Sequence, residues 1–241
     1  MKQKPVHPSM KGFLAGELIL IDKPLHWTSF DAVKKVRILT GVSKVGHAGT
    51  LDPLATGLLI ICTGAFTKKI TGYMGMKKEY TGTITIGATT PTYDLESEPE
   101  QFKDISNITA EDIYNTTKQF VGDILQTPPL HSAIKKDGKP VYLLARKGKT
   151  IELKPRKITI SLFEITAISL PLIHFKVQCS TGTYIRSLAN DFGAALNTGA
   201  YLSSLRRTSI GDFSVDDALS PQQFEEKIKY LKSESERQAN T

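Results

Sequence analysis

The run Gly46-His47-Ala48-Gly49-Thr50-Leu51-Asp52-Pro53-Leu54-Ala55-Thr56-Gly57 sets a single carboxylate among glycines and one proline. Pro53 has a locked φ and biases Asp52 away from helical geometry, while the glycines permit turns and close backbone approaches. A loop of that composition can aim one side chain. A lone carboxylate so aimed can act as nucleophile, as base or as a stabilising charge. The same composition also suits an aspartate that caps a turn or a helix. The apolar run Leu58-Leu59-Ile60-Ile61-Cys62 follows directly. It reads as a buried strand that would anchor the loop to the core.

Elements that position this loop are legible on both sides. Glu17–Asp22 reads as a buried strand closed by Lys23-Pro24, and Thr28 or Ser29 then caps a helix through Phe30, Val33, Val36 and Leu39, ended by Gly41. The segment 68–76 has helical composition, and 80–86 that of a strand. A helix start is marked by Thr109 with Asp112, and Gly122 marks its end. Residues 126–138 read as irregular, with Pro140 opening a helix over 141–147. Long β-type runs occupy 157–170 and 172–180, the second alternating Ile173, Phe175, Val177 and Cys179. Tyr184, Ile185, Leu188, Phe192 and Leu196 have helical spacing, with Gly199 just past the end. A last helix begins at Ser220-Pro221 with Phe224, Ile228 and Leu231 as its apolar stripe. Strands and helices alternate without a βαβ repeat, which implies an α+β fold with a mixed, mostly antiparallel sheet.

The 241 residues, 40% of them hydrophobic, suffice for one large domain. Net charge is +7, and residues 135–157 hold nine basic against two acidic side chains, a local excess equal to that of the whole chain. This favours a polyanionic partner or else a solvated charged face. The acidic stretch 94–112 opposes it and reads as a surface loop. Two distant cysteines in apolar contexts read as reduced thiols of a cytoplasmic protein, and imply no metal site. The N-terminus has no signal-like apolar region, and no uncharged stretch is long enough to cross a bilayer.

Three further segments accompany the Asp52 loop: Ile21-Asp22-Lys23-Pro24, then Pro128-Pro129 through Ser132-Ala133-Ile134-Lys135 to Tyr142 and Ala145-Arg146, and Gly182-Thr183-Tyr184-Ile185-Arg186-Ser187-Leu188. In this order and spacing the chain resembles the TruB family, bacterial tRNA pseudouridine synthases that modify uridine 55 of the T-loop, over roughly residues 13–212. The resemblance implies the pseudouridine synthase fold with a central catalytic cleft and no cofactor or metal. Asp52 would be the essential carboxylate. Tyr80, in Lys78-Glu79-Tyr80, would stack on the target uracil, and Arg186 would pair with the aspartate. Tyr184 and Leu205 would line the pocket, and His47 would take the place of the extruded base. Segment 124–150 would be a thumb closing on RNA, with Lys135 and Arg146 on phosphates. Lys23 would support the loop or touch RNA. The expected partner is the tRNA T-arm, bound by a monomer with no obligatory protein partner and no membrane.

Within that family many members carry a further RNA-binding domain. Here residues 220–241 suffice for a helix and tail only, so a single catalytic domain over 1–241 is expected, with fewer contacts to the rest of the tRNA. A non-catalytic tRNA-binding folding factor is the alternative. A phosphate cradle is disfavoured, because the glycine loop lacks both the Gly-Lys-Ser/Thr ending of a P-loop and the spacing of a dinucleotide fingerprint.

Overall fold

The computed structural model describes residues 7–130, 135–136, 139–140 and 153–239. The chain forms two compact units, one from residues 1–78 and 206–241 and the other from 79–205.

In the first unit, the short helix α1 (Lys11–Ala15) leads into β1 (Leu18–Lys23), helix α2 (Ser29–Thr40), β2 (Val45–Ala48) and β3 (Ala55–Thr63). Both β1 and β2 pair antiparallel with β3, in registers that set Ile21 against Leu59 and His47 against Ile61. Residues 58–62 have no solvent contact because both sheet faces are covered. Leu59 and Ile61 pack with α2 and the C-terminal helix, among Val33, Val36, Phe224 and Ile228. Leu58, Ile60 and Cys62 pack on the opposite side with Ala48, Ile210 and Val215. A strand covered on both sides has no polar face to alternate with, hence the unbroken apolar run. Helix α2 starts at a capping box in which Thr28 Oγ1 accepts from Asp31 N while Asp31 accepts from Thr28 N, and it ends at Gly41 with φ of 72°.

Helix α3 (Ile70–Gly75) is shorter than the helix expected over 68–76. Its preceding turn, Gly64–Lys69, is 3-10.

The second unit contains most of β4 (Lys78–Ile86), helix α4 (Ala110–Thr117), β5 (Gly122–Gln126), the two-residue strands β6 (Lys135–Lys136) and β7 (Lys139–Pro140), β8 (Arg156–Ser169), β9 (Leu172–Cys179) and helix α5 (Ile185–Ala195). Strand β10 (Ala200–Ile210) begins in this unit and ends in the first, where β11 (Phe213–Ser214) pairs with it before the C-terminal helix α6 (Pro221–Ala239). Antiparallel ladders join β5 to β8 and β8 to β9. Ile173, Phe175, Val177 and Cys179 are buried as their alternation predicts. Phe120, Phe163, Phe175 and Phe192 form an aromatic cluster with centroid separations of 5.6–6.3 Å.

Several expectations need correction. Helix α4 stops at Thr117 and tightens into a 3-10 turn through Phe120, so Gly122 (φ 105°) opens a strand rather than closing a helix. Residues 124–126, assigned to the thumb, continue that strand, and Gln126 pairs with Arg156. Pro140 pairs with Lys135 in a two-stranded ladder. The helix expected over 141–147 falls outside the described residues, as does Arg146. Strand β10 shows no clear alternation, because Ser203, Ser204, Arg206 and Arg207 interrupt its apolar pattern.

Candidate active site

Asp52 stands at the first corner of a turn in which Ala55 N donates to Asp52 O at 3.1 Å, with Pro53 in the next position, where its fixed φ favours reversal. Two buried side chains, Ser29 and Arg207, grip the backbone on either side, and a third, Lys23, fixes the turn that docks on it. Ser29 Oγ accepts from Leu51 N at 2.8 Å and donates to Leu51 O at 3.2 Å. Lys23 Nζ, with no solvent exposure, donates to Pro24 O at 2.9 Å and Trp27 O at 2.6 Å, fixing the turn after β1. That turn in turn docks on the loop, where His26 N donates to Pro53 O at 2.8 Å. Arg207, 1% exposed, donates from Nε to Leu58 O at 2.8 Å and from Nη2 to Gly49 O at 3.2 Å. The loop is thus tied to the core at both ends, while Asp52 itself is only half-buried. A firmly held backbone carrying a half-buried aspartate is suited to chemistry on a docked substrate.

Glycine is required at the loop's far end. Gly57 has φ of 103°, and a Cβ there would lie 2.2 Å from Arg207 O. The backbone of β10 therefore passes where any side chain would project.

The charges around the loop interact. Burial lowers the Lys23 ammonium to about 8, and the positive Arg207 acts in the same direction, while the nearby carboxylates of Asp52 and, less strongly, Asp31 oppose the shift. His47 is lowered below the usual imidazole range, first by burial and then by Arg207, against a backbone interaction with Gly49. His47 belongs to strand β2 rather than to a loop, so its backbone position is set by pairing with Ile61.

In the second unit, Tyr80 lies buried in β4, and Arg186 lies buried in the first turn of α5. Arg186 Nη1 is 3.4 Å from both Asp94 Oδ2 and Thr92 O. Asp94 had counted among the surface acids of 94–112, yet it is 3% exposed. Its Oδ1 accepts from Glu96 N, and its own carbonyl accepts from Thr90 Oγ1 and Thr92 Oγ1, after Tyr93 enters left-handed geometry at φ 64°. Tyr184, at the N-cap of α5, donates from N to Gln126 Oε1 at 2.8 Å, and Gln126 Nε2 returns a hydrogen bond to Tyr184 O at 3.1 Å. Ser187 Oγ donates to Thr127 O at 2.9 Å. These bonds fasten the base of the segment assigned as a thumb to the start of α5. Leu205 is half-buried on β10 and Lys135 lies in β6.

Thus Lys23, His47 and Asp52 gather in the first unit together with Ser29 and Arg207, which sequence reading missed. Tyr80, Tyr184, Arg186 and Leu205 belong to the second, where Asp94 and Gln126 were likewise missed. Arg207 follows another arginine, and such pairs are commonplace in basic chains, so nothing in the local pattern marks it. Among the described residues no group of histidine, cysteine and acidic side chains could hold a metal ion, and no helix is long and apolar enough to cross a membrane.

Two family models together span most of the chain: the N-terminal domain of TruB family pseudouridylate synthase over residues 37–185, and the C-terminal domain of tRNA pseudouridylate synthase B over 186–239. A protein of Flavobacterium johnsoniae named tRNA pseudouridine synthase B is 56% identical over 90% of this chain and 98% of its own length. One of the same name from Chloroherpeton thalassium is 48% identical over 93% and 95%. Among solved structures, a chain of a Cbf5-Nop10-Gar1 complex superposes with a TM-score of 0.75 at 27% identity, covering 95% of this chain and 59% of that one. The chain belongs to the TruB family of pseudouridylate synthases.

Proposed function

We propose that this protein converts uridine 55 in the T-loop of tRNA to pseudouridine, with Asp52 as the reacting carboxylate. The observation that carries the reading is the Asp52 turn: a half-buried aspartate on a backbone held by Ser29 and Arg207, against which the turn fixed by Lys23 docks. The substrate class is supported by the names of relatives that match this chain nearly end to end.

The reaction breaks the N1–C1′ bond, turns the uracil and rejoins it through C5, with no atoms gained or lost and no cofactor required. As an anion, Asp52 can attack C1′, add to C6 of the ring, or take the 2′ proton to give a glycal, and all three routes need it ionised. The positive Lys23 near the loop, with which Asp52 interacts, favours that form. The target base must leave its stack, and Tyr80 compensates by stacking on it while His47 fills the space it vacates. The family resemblance pairs Arg186 with the carboxylate and puts Tyr184 and Leu205 around the base. Lys135 and Arg146 contact phosphates of the T-arm. The protein works as a monomer of one catalytic domain in the cytoplasm, with no obligatory protein partner.

Tritium release from tRNA labelled at uridine C5 tests this reading. Wild-type protein should release one equivalent per tRNA, and none from tRNA with cytidine at position 55. Asp52→Asn should bind tRNA with unchanged affinity and release nothing. Absence of release by the wild type would overturn the proposal. Unchanged release by Asp52→Asn would remove the carboxylate from the chemistry and favour a different catalytic group. Binding and refolding of tRNA without isomerisation would instead indicate a folding factor.

A further inference from the structure

Arg207 is among the largest fully buried side chains of the protein, and its guanidinium lies beneath the Asp52 loop rather than in a surface ion pair. Its two hydrogen bonds reach carbonyls nine residues apart in sequence, Gly49 O and Leu58 O, which flank the loop on opposite sides. The backbone of the same residue occupies the space against Gly57. One residue of β10 thus meets the loop at its entrance, its exit and its final glycine. Its charge also acts on two side chains of the site, Lys23 and His47.

We propose that Arg207 is a positioning residue for the isomerisation, a planar clamp that sets the width of the loop between Gly49 and Leu58 and thereby the placement of Asp52. This rests on the catalytic reading of Asp52 given above. A guanidinium presents Nε and Nη2 in one rigid plane to two separate acceptors, whereas a lysine ammonium is a point donor with a shorter reach and cannot span both carbonyls in that geometry. Arg207→Lys therefore keeps the buried charge and loses the clamp. A displacement of the reacting group by about 1 Å costs on the order of 100-fold in rate.

The test measures three quantities for Arg207→Lys: the single-turnover rate of pseudouridine formation at saturating enzyme, the Kd for tRNA, and the cooperativity of thermal unfolding. The single-turnover rate should fall about 100-fold, with Kd within about threefold of wild type and a single unfolding transition. A merely structural role would lower the melting temperature and leave the rate of the folded, saturated enzyme unchanged. That result, or a loss confined to Kd, overturns the proposal. Gly49→Ala approaches the same clamp from its acceptor side and provides the decision should Arg207→Lys not fold. Gly49 has φ of 88°, and a Cβ would sit 3.6 Å from Arg207 Nη1, so the change strains the carbonyl without filling occupied space. It should show the same loss of rate with binding retained, and an unchanged rate overturns the clamp. Wild-type protein that forms no pseudouridine would defeat the parent reading, whereas wild-type turnover with unaffected variants would defeat this one alone.

Discussion

Lys23 is a cation without solvent contact, held by two carbonyls and subject to opposite pulls from Asp52 and Arg207. Its ammonium titrates at about 8 in the fold, below its ordinary value of 10.5, so between these values the unfolded chain binds more protons than the folded one. Stability from this group therefore rises with pH across that window, and below pH 8 the fold carries the full cost of burying the charge. The unfolding free energy of the wild type, measured relative to Lys23→Met, should increase by up to about 3 kcal/mol between pH 8 and 10.5. A flat difference would place the ammonium in a better-solvated site. Asp94 shows the opposite situation, a buried carboxylate matched by Arg186. Asp94→Ala removes a buried carboxylate whose Oδ2 lies 3.4 Å from Arg186 Nη1 and should cost about 3 kcal/mol in urea unfolding. Counting charges along the chain assigned Asp94 to a solvated block, because a linear count cannot register the reversal at Tyr93 that turns one acid inward.

At the scale of elements, β10 and the loop it supports leave no room for a side chain at Gly57. Gly57→Ala places a methyl against the Arg207 carbonyl and should cost more than about 2 kcal/mol or prevent folding. Gly72 in α3 has open space around its Cα and ordinary helical φ, so Gly72→Ala should stabilise by about 0.5–1 kcal/mol. Thermal unfolding of the pair separates close backbone approach from simple helix propensity. Helix α2, strands β8 and β9, and helix α5 were legible because caps, alternation and helical spacing are local signals. The Asp52 turn was equally legible from Pro53 and its glycines. What local signals could not supply was the partner of each element. Arg207 and Gln126 matter because β10 lies on β3 and because β5 ends at α5, and both pairings join segments far apart in the chain. Polar residues in β10 also broke the pattern that would have revealed it as a strand.

For the whole molecule, the net charge of +7 makes affinity for tRNA an ionic-strength question. A plot of log K against log salt should be linear, each phosphate contact contributing about 0.7–0.9 to the slope. Lys135→Ala and Arg146→Ala should each reduce that slope by about one while weakening binding to all tRNA sequences alike. A slope that does not respond would move these residues off the RNA. The first unit unites the beginning and the end of the chain, since α6 packs on α2 and Ile210 packs beside Leu58 and Ile60. Such long-range pairing leaves no mark in composition or periodicity, so the division into units emerged only from the folded chain.

Cys62 and Cys179 are both fully buried, and each belongs to a different unit. Burial also pushes the Cys62 thiol up to about 11, which leaves scarcely any thiolate at neutral pH. An aqueous maleimide can therefore alkylate either sulfur only during excursions that expose it. The chain thus carries its own pair of reporters. If the units open together, mass spectrometry of the labelled protein should show both sulfurs modified with one time constant, and two distinct time constants would reveal independent breathing.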